Sequence, residues 1–118
     1  NKVKEGKLDN FRQFYRKEVK LIEADKPCTL VHLAYVNEDG TEVTIVHLFP
    51  NARAFDLHMQ GTSERAKKAY EFIESDRLKI YGRPSNDVLE MMRKIVGSGV
   101  ALSFNPQNLG GFIRLKSE

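Results

Sequence analysis

The stretch Cys28-Thr29-Leu30-Val31-His32-Leu33-Ala34-Tyr35-Val36, Asn37-Glu38-Asp39-Gly40, Thr41-Glu42-Val43-Thr44-Ile45-Val46-His47-Leu48-Phe49 decides how the chain is read. Two runs rich in β-branched and aromatic residues flank four residues of strong turn chemistry, which is the signature of a β-hairpin with a polar, solvated tip. If Val36 opposes Thr41 across a four-residue turn, His32 faces Ile45 and His47 faces Leu30. Period-two alternation then puts both histidines, as diagonal neighbours, on the face that also carries Cys28, Leu30, Ala34, Val36, Val43, Ile45 and Phe49. The opposite face is apolar too, so the hairpin needs cover on both sides, with helices on one and a second subunit on the other.

Upstream, from Gly6 to Glu23, Leu8, Phe11, Tyr15, Val19 and Ile22 recur every three or four residues, with Phe14 and Leu21 beside them, which predicts an amphipathic helix. Asp25-Lys26-Pro27 ends it, because the residue before proline leaves the helical region. Downstream, Pro50-Asn51 opens a helix with Ala52, Phe55 and Met59 on one face and Asn51 as its N-cap. Gly61 breaks it. A second helical stretch, Thr62 to Ser75, turns Ala66, Ala69, Tyr70 and Ile73 inward, with Phe72 to one side.

Arg77 to Gly82 reads as a strand, and Pro84-Ser85 starts a helix with Val88, Leu89, Met92 and Ile95 as its stripe, stopped by Gly97. Val100 to Phe104 is a strand, Asn105 to Gly111 a loop, and Phe112 to Leu115 a short last strand. Helix, strand, strand, helix pair, strand, helix, strand is the order of an α+β, ferredoxin-like antiparallel sheet with helices on one face. Such a unit begins with a strand, and only Asn1 to Glu5 precede the helix. The first strand is therefore expected to be truncated or missing, or replaced by a partner or by the C-terminal strand.

The 118 residues fit a single domain, 1–118, and a composition of 41% hydrophobic and 30% charged residues indicates a packed core. The net charge of +3 arises from 19 basic and 16 acidic residues dispersed along the chain, so no nucleic-acid partner is expected. The single cysteine, Cys28, cannot form an internal disulfide and is expected to be inert in its apolar setting. No membrane span and no signal peptide is apparent, which gives a cytoplasmic expectation.

Val3-Lys4-Glu5-Gly6-Lys7-Leu8-Asp9-Asn10-Phe11, Thr44-Ile45-Val46-His47-Leu48-Phe49-Pro50-Asn51, Ala54-Phe55-Asp56-Leu57-His58 and Ile80-Tyr81-Gly82-Arg83-Pro84-Ser85 occur in an order that resembles the antibiotic biosynthesis monooxygenase family. The family includes small quinol monooxygenases. The resemblance covers most of the chain and rests on order and spacing. It implies a homodimer closing as a dimeric α+β barrel, and an aromatic small-molecule ligand in a pocket between sheet and helices of each subunit. His58 stands where the family carries a helical histidine. His47 and Phe49 stand where members commonly carry Glu and Tyr, so chemistry that needs a carboxylate or a phenol there is not on offer. The lack of Trp sets the chain apart from the haem-degrading branch.

The resemblance makes a cofactor-independent monooxygenase acting on a quinol or other aromatic small molecule the leading expectation, with no cofactor because the substrate supplies the electrons. His47 or His32 takes a proton, His58 positions the substrate, and Phe14, Tyr35, Phe49, Phe55, Tyr70 and Phe104 offer aromatic wall. No metal is assigned, since His32 and His47 lack a local chelating spacing and no carboxylate alternates with them. Two further readings stay open. The histidines can be hydrogen-bonded residues of a core edge or interface, and the aromatics ordinary core. The domain can also be a non-catalytic small-molecule-binding or stress-response module of the same fold.

Overall fold

A computed structural model describes residues 1–96 and 100–114, with ten elements: β1 (Lys2–Val3), α1 (Leu8–Asp25), β2 (Val31–Val36), β3 (Val43–Leu48), α2 (Ala52–Met59), α3 (Thr62–Ala69), β4 (Ile73–Glu74), β5 (Arg77–Tyr81), α4 (Asn86–Val96) and β6 (Ala101–Asn105). It is a mixed α+β architecture in which β2 pairs with β3 and β1 with β4, both antiparallel, while β5 and β6 run parallel. The parallel pair corrects the expectation of a wholly antiparallel sheet. Its strands are joined through α4, the kind of crossover that a parallel pair requires.

The hairpin closes on Asn37 and Glu42, with the four residues 38–41 between them, which moves the pairing register by two from the expected one. The Asn37 side-chain oxygen accepts the backbone N–H groups of Thr41 and Glu42, each at 2.9 Å, and the Asn37 N–H donates to the Glu42 carbonyl at 3.0 Å. Gly40, at φ 75°, supplies the left-handed residue inside this loop. Val36 consequently pairs with Val43, and His32 sits directly opposite His47. A shift of two preserves the side-chain period, so the expected face is kept and only the partners change.

β1 lies between the hairpin and β4. Lys2 bridges to Glu42 as well as pairing with Glu74, and the Val43 N–H donates to the Asn1 carbonyl at 2.9 Å. The adjacency across these strands is β2, β3, β1, β4. The first strand is thus present but two residues long. The pairing also explains why the helical stretch ends at Ala69 and not at Ser75: Ile73, 2% exposed, is drawn into β4 opposite Val3. Local helical periodicity loses here to a buried tertiary contact.

α1 lays Phe11 against Val43 and Ile73 as the first core cluster, joined by Leu8, Phe14, Tyr15, Ala34, Ile45 and Phe72. Asn51 caps α2 by accepting the Ala54 N–H at 2.8 Å, and Gly61, at φ 76°, separates α2 from α3. Ser85 accepts the Val88 N–H at 3.2 Å to start α4 and donates to Asp56 on α2 at 2.9 Å. The second cluster is Ile80, Val88 and Met92, with Phe55 and Met59 of α2 packed on it. The side chain of Ile95, together with Gly97 and Leu115, lies outside the described residues.

Residues 112–114 form no strand, and Phe112 and Ile113 are 81% and 64% exposed. Their β propensity alone, with no partner strand paired to them, does not make a strand. The hairpin face away from α1 is also uncovered, with Leu33 47%, Tyr35 63% and Val46 42% exposed. No described helix is long and apolar enough to cross a membrane.

Phe11 is the ring on which the first cluster closes, at 3% exposure. Phe11→Ala is expected to lower the unfolding free energy by about 3–5 kcal/mol, measured as a fall in urea midpoint at unchanged slope.

Candidate active site

Three elements deliver one histidine each. β2 and β3 bring His32 and His47 face to face, with 3.1 Å between their Nε2 atoms and ring centroids 4.4 Å apart. α2 brings His58 from above. Buried Ala54 and His58 lie one helical turn apart and form a stripe toward the hairpin, distinct from the Phe55 and Met59 stripe that faces the second cluster. The His58 ring is 5.1 Å from that of His47 and 5.9 Å from that of His32.

Outer contacts fix the rings. The Tyr15 hydroxyl of α1 lies 2.8 Å from His32 Nδ1, and the Thr29 hydroxyl, just ahead of β2, lies 2.7 Å from His58 Nδ1. Lys26 donates to the Leu57 and Gln60 carbonyls at 2.9 and 3.1 Å, a cation placed at the negative end of α2. Arg65 of α3 is paired with Asp25 at 3.0 Å and with Glu18 at 3.8 Å.

All three imidazoles are held in the neutral form at pH 7. Burial lowers the pKa of His58 to about 4, helped by His32, Arg65 and Lys26. Burial also lowers His32, with Arg65 adding to it. The His47 ring is open to a cleft, yet protein walls the cleft in; loss of bulk water first, then His32 and His58, push its pKa down to about 3. Tyr15 is raised by burial and stays protonated. Tyr15 O–H donating to His32 Nδ1, and His32 Nε2–H donating to His47 Nε2, is one proton arrangement that satisfies every distance.

The cleft has a volume of about 1530 Å³ and is lined by the three histidines, Tyr15, Phe49 and Phe55, by β3 on one side and by β5 on the other. Phe49 stands 5.1 Å from His58 and 6.1 Å from His47, with Phe55 4.8 Å behind it. Of the other aromatics expected at a site, Phe14 and Tyr70 line the same cleft, Phe14 within the first core cluster against Phe72 at 5.5 Å. Tyr35 is elsewhere: strand alternation puts it on the uncovered hairpin face. Phe104, on β6, is 37% exposed and does not line the cleft. Cys28 is exposed and outside the histidine cluster.

Sequence reasoning placed Tyr15 only in a packing stripe and gave Thr29 no role. The hydroxyl of Tyr15, at the position in α1 that faces β2, was the available signal; nothing in the sequence marked Thr29. Neutral, closely spaced imidazoles beside an aromatic wall can accept a hydrogen bond from a bound phenol or donate lone pairs to a Lewis acid. No family model, curated protein or solved structure matches the chain.

The folded-state pKa values of all three histidines lie below the usual 6.5, so the unfolded chain takes up protons first as pH falls. The stability they contribute is complete above about pH 6.5 and is lost as pH drops toward 3 to 4. Urea unfolding in the presence of EDTA at pH 7.5, 6.5 and 5.5 is expected to show this fall, with a shallower slope in His47→Gln.

Proposed function

We propose that the chain binds a quinol or a related phenolic aromatic in the histidine-lined cleft and oxygenates it as a monooxygenase that needs no organic cofactor. The observation that carries this is the convergence of His32, His47 and His58 with Phe49 and Phe55 at one cleft. A small-molecule site of ordinary size takes roughly 300–1,000 Å³, and the whole cleft, at about 1530 Å³, exceeds that. Phe49 gives the phenolic ring an apolar surface while a neutral imidazole accepts a hydrogen bond from the phenolic O–H, which makes the phenolic oxygen more electron-rich. The reaction balances without an added reductant: quinol and O₂ give a hydroxylated quinone and water, with one oxygen atom entering the ring and four electrons leaving the substrate.

The fold reading that goes with it is a ferredoxin-like unit paired as a dimeric α+β barrel. The β2, β3, β1, β4 adjacency supports the first part, being the strand order of a βαββαβ sheet. The uncovered face with Leu33, Tyr35 and Val46 supports the second, since a contiguous apolar sheet face is what a second copy would bury. The resemblance to the antibiotic biosynthesis monooxygenases points the same way, as does a cytoplasmic setting for a chain with one unpaired cysteine.

Oxygen uptake with a panel of hydroquinones is expected for the wild type, and a His47→Ala, His58→Ala double variant is expected to lose about 100-fold or more. Unchanged turnover in the variant would sink the histidine roles. Quinol binding without turnover in the wild type would favour a binding module. Sedimentation is expected to show a dimer that Leu33→Asp converts to monomer; a wild-type monomer would overturn the barrel.

A further inference from the structure

We propose that His32, His47 and His58 together hold one divalent transition-metal ion of the zinc class, with three imidazole nitrogens on one side of the ion and the cleft on its open side. A ring nitrogen from each histidine lies within 4.8 Å of those of the other two. Zinc–imidazole bonds of about 2.0–2.1 Å put tetrahedral nitrogens about 3.3 Å apart. The Nε2 atoms of His32 and His47 already stand 3.1 Å apart. Closing the third ring onto the same ion takes a movement of about 1–1.5 Å.

The outer shell is what a histidine metal site uses. A ligating imidazole donates its other ring N–H to an oxygen, which fixes tautomer and orientation. The Tyr15 and Thr29 hydroxyls stand at Nδ1 of His32 and of His58, where they would accept such bonds with the ion bound. Three neutral nitrogens with no carboxylate or thiolate suit zinc, copper, iron or nickel and not magnesium or calcium. Three protein ligands with an open position are also the pattern of catalytic, and not structural, zinc. Arg65 is the nearby cation that works against a bound ion, and its pairing with Glu18 and Asp25 offsets it. Because the ligands come from β2, β3 and α2, no chelating spacing arises in the sequence.

What enters the open position rests on the function proposed above. A phenolic oxygen bound there gives up its proton more readily, which moves the acidifying task from a bare imidazole to the ion.

The test is calorimetric titration of EDTA-stripped, dialysed full chain with zinc chloride at pH 7.5. One ion per chain is expected, with affinity reduced about tenfold or more in His32→Gln and in His47→Gln, and by about 10–100-fold in Tyr15→Phe. His47 is at an exposed position, so its variant leaves the core intact. Cys28→Ser is expected to bind as the wild type does. Absence of saturable uptake, uptake unchanged in His47→Gln, or uptake lost in Cys28→Ser would each overturn the site. Cobalt(II) in place of zinc gives visible bands that report coordination. A change in those bands on anaerobic addition of hydroquinone supports the open-position reading; unchanged bands with cobalt bound would overturn that reading and leave the metal site standing.

Discussion

The Asn37 side chain accepts two backbone N–H groups, those of Thr41 and Glu42, and the rest of the structure follows from the closure that this makes. With the loop closed at residue 42, Val36 lands on Val43 and the ladder runs back to place His32 against His47. A register two residues earlier, with Val36 opposite Thr41, would have kept both imidazoles on the same face and separated them diagonally, at roughly 7–8 Å between Cα positions. The same closure fixes Val43 beneath Phe11 and beside Asn1, so the first core cluster and the seat of β1 depend on it as well.

The imidazole cluster couples folding to chemistry through desolvation. Protein around the rings makes their charged forms costly, which keeps lone pairs on nitrogen at neutral pH. Hydroxyls from two other segments, Tyr15 and Thr29, orient two of the three rings. α2 serves two layers at once, giving Ala54 and His58 to the hairpin side and Phe55 and Met59 to the second cluster. That dual packing sets the height of His58 above the strands. The Lys26 cap on the C-terminal end of α2 steadies the same helix.

Much of the element order was legible beforehand: α1, the hairpin, the break at Gly61, the Asn51 cap, and the start of α4 near Ser85. Each of these is signalled locally, by periodicity or by a capping side chain. β4 was not, because Ile73 continues a helical pattern until β1 arrives to pair with it. Nor was the parallel relation of β5 to β6, which depends on how α4 crosses and not on any residue within the strands. Among the aromatics, Phe49 reached the histidines, with Phe55 behind it, while Tyr35 could not, since it is one residue away from the histidine-bearing face.

By itself the sequence determined which histidines share a strand face, because alternation is a property of the backbone and survives any shift of two. Only the tertiary structure decided that they stand directly opposite, that His58 joins them, and that Tyr15 and Thr29 hold their outer nitrogens. Those contacts join residues up to 29 positions apart, as between Thr29 and His58, and depend on loop closure and helix placement, which no local pattern records.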